Sequence, residues 1–211
     1  MGVLCKMNMC HTGNIFIRYF VYCAAMSGVI GLSSYLIQKV WGGESVMREN
    51  GVVEWLQVAC LFFAALLLLL AGKRSTEYKE LLGILCFLPV VALIRENDKL
   101  LETYVFADAW EVLVLTALIY PGYVLSRTFH IVSKQLNRFS YTQPFLCFVF
   151  GCFLIFAFSR LVGQQSLWQA LLEERNHRSI GGFVEEIMEL LGYCVLLIGS
   201  IECYIEARRS T

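Results

Sequence analysis

Histidine, proline and net charge are what this chain has least of. Its 211 residues include only three histidines, His11, His130 and His177. A three-imidazole zinc site would need all of them together. A haem in a helical bundle needs axial ligands such as paired histidines within helices, and neither arrangement is present. Charged residues are 16% of the chain and balance at 17 basic and 17 acidic, so the basic patch that a nucleic acid requires is missing. A removable signal peptide is not expected. The stretch before Gly13 has no apolar centre, and the first apolar run, residues 15–37, is too long for a signal core and lacks a small-residue cleavage site. Of three prolines, only Pro89 and Pro121 fall inside apolar segments, where each frees a carbonyl and favours a kink. No connection is long enough for a separate soluble domain, and the two halves share no motif that would mark a repeat.

What fills the chain instead is apolar sequence in blocks. Hydrophobic residues make up 58% and the mean hydropathy is +0.63, outside the soluble range. Residues 58–71, 81–94, 112–125, 145–158 and 193–201 carry no charge. They lack the alternation of barrel strands, so helices are the expected way to satisfy their backbone in hydrocarbon. The reading is an all-α, polytopic membrane protein, one domain over residues 1–211. It is a compact six-transmembrane-helix bundle with short loops and spans 14–39, 51–72, 79–98, 107–127, 142–161 and 180–206. The third span is the shortest in apolar length. Either the bilayer thins there or Arg95, Glu96 and Asp98 are drawn into the membrane edge, with a five-helix chain and a re-entrant third segment as the alternative.

Basic residues set the expected orientation. Lys6, Arg18, Lys73, Arg74, Lys79, Arg127, Lys134, Arg138, Arg208 and Arg209 belong to the termini and the even-numbered connections, which places both termini in the cytoplasm. All but four of the 17 acids (Glu77, Glu80, Glu202 and Glu206) then fall on the opposite side. Arg127, Lys134 and Arg138 are expected to meet anionic lipid head groups, and Glu202, within the final apolar stretch, to need a partner such as Arg18. Short loops and cytoplasmic termini fit a bacterial inner membrane.

The outer helix ends hold the candidate site. Glu54 and Gln57 share a face of the second span; Arg95, Glu96 and Asp98 end the third; Asp108 and Glu111 open the fourth. Arg160 ends the fifth, and Glu185 and Glu189 stand one turn apart at the start of the sixth. A charge near mid-bilayer costs about 2.5–3.5 kcal/mol, less near an interface, so these groups are expected to face one another or water. Arg95 should pair with Glu54 or Asp98, and Arg160 with Glu185 or Glu189. No cofactor is required, although the carboxylates could gather a divalent cation.

Three functional readings compete. Charges and boundary tryptophans (Trp41, Trp55, Trp110, Trp168) could simply lock the bundle and set its depth. Surplus carboxylates could handle cations or protons, in the protein itself or as an accessory transport subunit. Carboxylates and arginines could act on a phospholipid or lipid-linked head group as an enzyme or transporter, although Ser159 has no base at a recognisable spacing. Membrane lipids are the expected partners. The small-residue steps Ala24–Gly28 and Ser27–Gly31 would admit a close helix, from this chain or a second copy, and Gly192 and Gly199 would form a similar seam. Cysteines inside the apolar runs, such as Cys60 and Cys194, read as small buried hydrophobes.

Overall fold

A computed structural model describes residues 2–40, 51–171 and 177–209, all of them helix or short turn. The chain divides into two units, residues 1–48 and 49–211. The first holds one helix, α1 (Gly2–Val40), whose stretch Ile15–Ser33 is long and apolar enough to cross a membrane. Ala24, Ser27, Gly28 and Gly31 lie on its exposed surface, so α1 does not use that stripe within itself. The second unit contains α2 (Val52–Arg74), α3 (Lys79–Leu85), α4 (Phe87–Glu96), α5 (Asp98–Tyr104) and α6 (Ala109–Phe139). It continues with α7 (Gln143–Phe153), a π-helical turn (Leu154–Phe158), α8 (Ser159–Val162), α9 (Gln165–Leu171) and α10 (His177–Arg209).

Five helices among the described residues are long and apolar enough to cross a membrane, not the six expected: Ile15–Ser33, Val52–Arg74, Ala109–Phe139, Gln143–Val162 and Ile180–Arg209. The third expected span is broken into α3, α4 and α5, of 7, 10 and 7 residues. Pro89 explains the first break. It has no N–H to give the Leu85 carbonyl, and the helix parts at Cys86, whose thiol turns to the Gly83 carbonyl at 3.0 Å. The second break is at Asn97, with φ −106° and ψ 19°, whose side-chain amide donates to the Leu93 carbonyl at 2.8 Å. That bond takes up an end carbonyl and stops α4.

A second difference concerns residues 128–139, expected to be a connection. They continue α6 beyond a kink at Thr128 (φ −118°, ψ 19°), where the hydroxyl donates to the Val124 carbonyl at 2.7 Å. No glycine or proline interrupts this stretch. Val132, Gln135 and Phe139 recur at helical spacing and are all buried. The kink falls at Thr128 and not at buried Pro121. Both termini, expected in the cytoplasm from the basic residues, end in Met1, Ser210 and Thr211, which lie outside the described residues, as do residues 41–50, Trp41 among them, and residues 172–176.

α2 and α10 share the most extensive contact and form the core. Buried α2 positions Gln57, Leu61, Ala64, Leu68 and Ala71 alternate steps of four and three, the spacing of a left-handed helix pair. The matching stripe on α10 is Leu190, Tyr193, Leu196, Ser200, Cys203 and Ala207. α7 packs on the far side of α10 through glycines. A Cβ on Gly192 would stand 2.5 Å from Ile155 Cγ1 and 3.1 Å from the Gly151 carbonyl oxygen, and one on Gly199 3.1 Å from Cys147 Cβ. The seam expected of Gly192 and Gly199 is therefore the α7–α10 contact, where small residues let backbones approach. Outside the core, Phe62, Phe63, Leu69, Phe150, Phe153 and Phe156 are exposed. On a multi-pass membrane protein these side chains face lipid.

The second unit has two chemically distinct ends. At the basic end, Arg138 pairs with Glu77 at 3.4 Å, and Arg74 donates to the Tyr204 hydroxyl. Gln135 there accepts from the Leu81 N–H at 2.9 Å and donates to Glu80 at 2.7 Å. At the acidic end, the start of α2, the junction of α4 and α5, α8 and the start of α10 come together.

Candidate functional site

The acidic end encloses a chamber of about 260 Å³ lined by Glu54, Gln57, Arg95, Glu96, Asp98, Lys99, Leu100, Thr103, Glu186 and Glu189. Five carboxylates thus face two cationic side chains. Each element contributes through its periodicity. Glu54 and Gln57 are three apart on the first turns of α2, and Gln57, buried at 1% exposure, donates its amide to the Glu186 backbone carbonyl at 3.1 Å. Glu186 and Glu189 are likewise three apart on α10, and Tyr193 stands one turn deeper on the same face. The break at Asn97 turns the chain so that Asp98 and Lys99 join Arg95 and Glu96 around the opening.

Glu189 is the most buried carboxylate of the chamber. It is 7% exposed, and its Oε1 lies 3.3 Å from Arg160 and 3.8 Å from Arg95. Arg160 also pairs with Glu185. The expected pairing of Arg160 with both glutamates is what forms. Arg95 pairs with Glu189, on a different helix from the partners proposed for it, although Glu54 and Asp98 line the same chamber. A network of arginine–glutamate ion pairs therefore sits among apolar, membrane-spanning helices.

Two local features aim Arg160 at α10. The π turn just before α8 inserts an extra residue into the helix, which rotates the downstream turns by about 100°. Gly163 leaves room for the acid, since a Cβ there would stand 2.5 Å from Glu185 Oε2. Ser159, buried, gives its hydroxyl to the Ile155 carbonyl at 2.5 Å; it stitches the π turn and presents no nucleophile. Trp168 is also tied inward. Its indole N–H donates to the Val162 carbonyl at 2.6 Å, and its ring fills the space beside Gly181. Trp55 is 59% exposed, as a boundary residue would be.

Glu96 closes the chamber floor. Its Oε1 accepts a hydrogen bond of 2.7 Å from the Tyr193 hydroxyl. Burial pushes the Glu96 carboxyl above its ordinary value of 4.5; the Tyr193 hydrogen bond and Arg95 act the other way, and Asp98 and Glu54 add to the rise.

Asp108 and Glu111 are not part of this constellation. Both are exposed and neither lines the chamber. Asp108 instead adopts φ 61° at the turn into α6, a left-handed conformation that aspartate tolerates. Glu186, Lys99 and Tyr193 were missing from the sequence-derived set. Glu186 was detectable from its three-residue spacing to Glu189, whereas Lys99 depended on the unforeseen turn at Asn97. The divalent cation is not supported. Among the described residues no group of three or more His, Cys, Asp or Glu is placed to hold a metal. The carboxylates come from α2, α4, α5 and α10 and are spread around the chamber with Arg95 and Lys99 between them, where a hard cation needs convergent oxygens at about 2–2.6 Å. The side chain of His177 lies outside the described residues.

The fold and the charge network define a multi-pass, helical membrane protein. Beyond that class, the chain matches no protein-family model, no curated protein and no solved structure.

Proposed function

We propose that this protein handles monovalent cations or protons, holding the cationic group in the carboxylate chamber at one end of its bundle. The observation that carries the reading is the excess of acids around one cavity large enough to hold water: with Arg160 and its partner Glu185 included, six carboxylates stand against three cationic side chains. Partly enclosed by apolar helices, such a cavity focuses negative potential and concentrates positive partners. Protons, alkali ions and small ammonium groups answer that field without the tight oxygen cage a divalent ion demands. Depth supports capture at one face and not a through-going pore. Below Tyr193, the core between the chamber and Glu202 is built from Leu61, Leu68, Phe148 and Leu196, a layer that opposes continuous hydration. The basic residues Lys73, Arg74, Lys79, Arg138, Arg208 and Arg209 gather at the other end, so we place that end in the cytoplasm and the chamber on the opposite side of a bacterial inner membrane.

Carbodiimide modification tests the reading on the purified full chain. A hydrophobic carbodiimide should label chamber glutamates, and ethylammonium or sodium ions should slow the labelling. Mass spectrometry of the peptides carrying Glu54 and Glu186 reads the result. Labelling at those positions that neither cation slows would overturn the proposal.

A further inference from the structure

A second cavity adjoins the chamber and has the opposite chemistry. It measures about 350 Å³ and runs between α4, α6, the π turn and α10, with apolar walls that include Phe87, Val91, Leu118 and Phe156. Arg95 lines both cavities. Tyr193 lines the apolar one and gives its hydroxyl to Glu96 of the polar one. Arg95 and the Tyr193–Glu96 hydrogen bond therefore stand where the two spaces meet. Within the polar part, Glu189 Oε1 is buried and accepts no hydrogen bond among the described residues; its arginine contacts are ion pairs at 3.3 and 3.8 Å.

From this arrangement we propose that the paired cavities bind an amine-headed phospholipid, with an acyl chain along the groove, its phosphate at Arg95 and its ammonium among the chamber carboxylates. The proposal rests on the cationic preference argued above and names the ligand class. The order of chemistry along the cavities matches the order along such a lipid: apolar chain, anion, cation. A lipid with only an anionic head would bring its charge to Arg95 but add it beside the five carboxylates of the chamber, and like charges repel. A free ammonium ion would satisfy the carboxylates but leave the groove unfilled. Phe156 and Leu118, 65% and 46% exposed, place the groove within reach of the surrounding bilayer, so a lipid enters sideways with its chain still in hydrocarbon. Arg95 is suited to that meeting point because its planar fork grips a phosphate while keeping Glu189 as a neighbour.

Native mass spectrometry of the full chain, released from mixed micelles with equal amounts of phosphatidylethanolamine, phosphatidylcholine and phosphatidylglycerol, tests it. Phosphatidylethanolamine should be retained about tenfold over phosphatidylglycerol, a difference of about 1.4 kcal/mol. Phosphatidylcholine, which lacks ammonium N–H donors, should fall between them. Leu118→Trp, at an exposed groove position, should lower phosphatidylethanolamine retention by filling the groove, and Glu186→Gln should reduce the selectivity without emptying it. Cys60 on α2 and Cys194 on α10 have their sulfurs 3.8 Å apart, and their oxidative cross-linking in each variant confirms the fold. Equal retention of the three lipids, or full retention by Leu118→Trp, overturns the proposal. If ethylammonium still slows carbodiimide labelling in that case, only the lipid assignment fails. If it does not, the cation-handling reading fails with it.

Discussion

Tyr193 donates its hydroxyl to Glu96 Oε1 at 2.7 Å, and that bond joins α10 to the end of α4 directly beneath the carboxylate chamber. Tyr193 is 1% exposed and belongs to the core stripe of α10. One side chain therefore packs the bundle with its ring and holds the chamber floor with its hydroxyl. Tyr193→Phe keeps the ring and removes the donor. It should lower stability by about 0.5–1.5 kcal/mol, the net worth of a typical hydrogen bond, and push the Glu96 carboxyl higher still. Thermal unfolding in detergent at neutral pH measures the first effect. No change in the midpoint would show that the bond does not anchor α4.

Glu96 also predicts a pH dependence. Its carboxyl is raised in the folded protein, so between the ordinary value of 4.5 and the raised one the folded state holds a proton that the unfolded state has released. Stability from this group is present at low pH and declines as pH rises through that window. The midpoint of wild type should fall as pH rises above the ordinary carboxyl value of 4.5, and Glu96→Gln should flatten the change. Equal slopes in the two proteins would assign the dependence to other groups.

The ion pairs of Arg160 to Glu185 and Glu189 tie α8 to α10. Arg160→Met leaves buried Glu189 with Arg95 alone, at 3.8 Å. Because the Arg160 side chain is 52% exposed, solvent screening moderates the loss, and about 1–2 kcal/mol is expected. Adding Glu189→Gln should recover part of it, since the stranded charge is then gone. A double-mutant cycle on unfolding midpoints checks the coupling; strictly additive effects would mean the pair contributes nothing of its own.

Gly192 faces Ile155 and the Gly151 carbonyl across the α7–α10 seam. Gly192→Val should cost about 1–3 kcal/mol by overpacking, whereas valine at Gly83, where an added Cβ meets nothing within 4 Å, escapes that clash. Detergent stability of the two variants, side by side, reads the difference.

Cys60 on α2 and Cys194 on α10 bring their sulfurs to 3.8 Å. Oxidation by copper–phenanthroline under air should join the two thiols into a disulfide, with molecular oxygen taking up the electrons and protons. Digestion should then yield a linked pair of peptides, one carrying each cysteine, that reduction separates and Cys60→Ser abolishes. Persistent labelling of both thiols by maleimide after oxidation would contradict the α2–α10 register.

Composition and spacing carried the class and much of the local order. Apolar runs without charge located α2, α6, α7 and α10, because a chain in hydrocarbon has few other ways to satisfy its backbone. Spacing of three and four placed Glu54 with Gln57 and Glu185 with Glu189 on shared faces. Other features were illegible for local reasons. Pro89 signalled a disturbance but not whether the helix would bend or part, and the breaks at Cys86 and Asn97 reduced the crossing-length helices to five. The basic run after Thr128 looked like a connection because its charges mask the buried positions Val132, Gln135 and Phe139.

By itself, then, the sequence determined a multi-pass helical protein with its acids gathered toward one set of helix ends, since hydropathy and helical period are properties of neighbours along the chain. Tertiary structure alone decided which charges meet. Arg95 reaches Glu189, Lys99 joins the chamber, and Asp108 and Glu111 are left outside it. Those outcomes depend on where α4 stops, how the π turn rotates Arg160 and how closely the Gly151–Gly192 seam lets α7 approach α10. Each is a matter of packing between segments far apart in sequence.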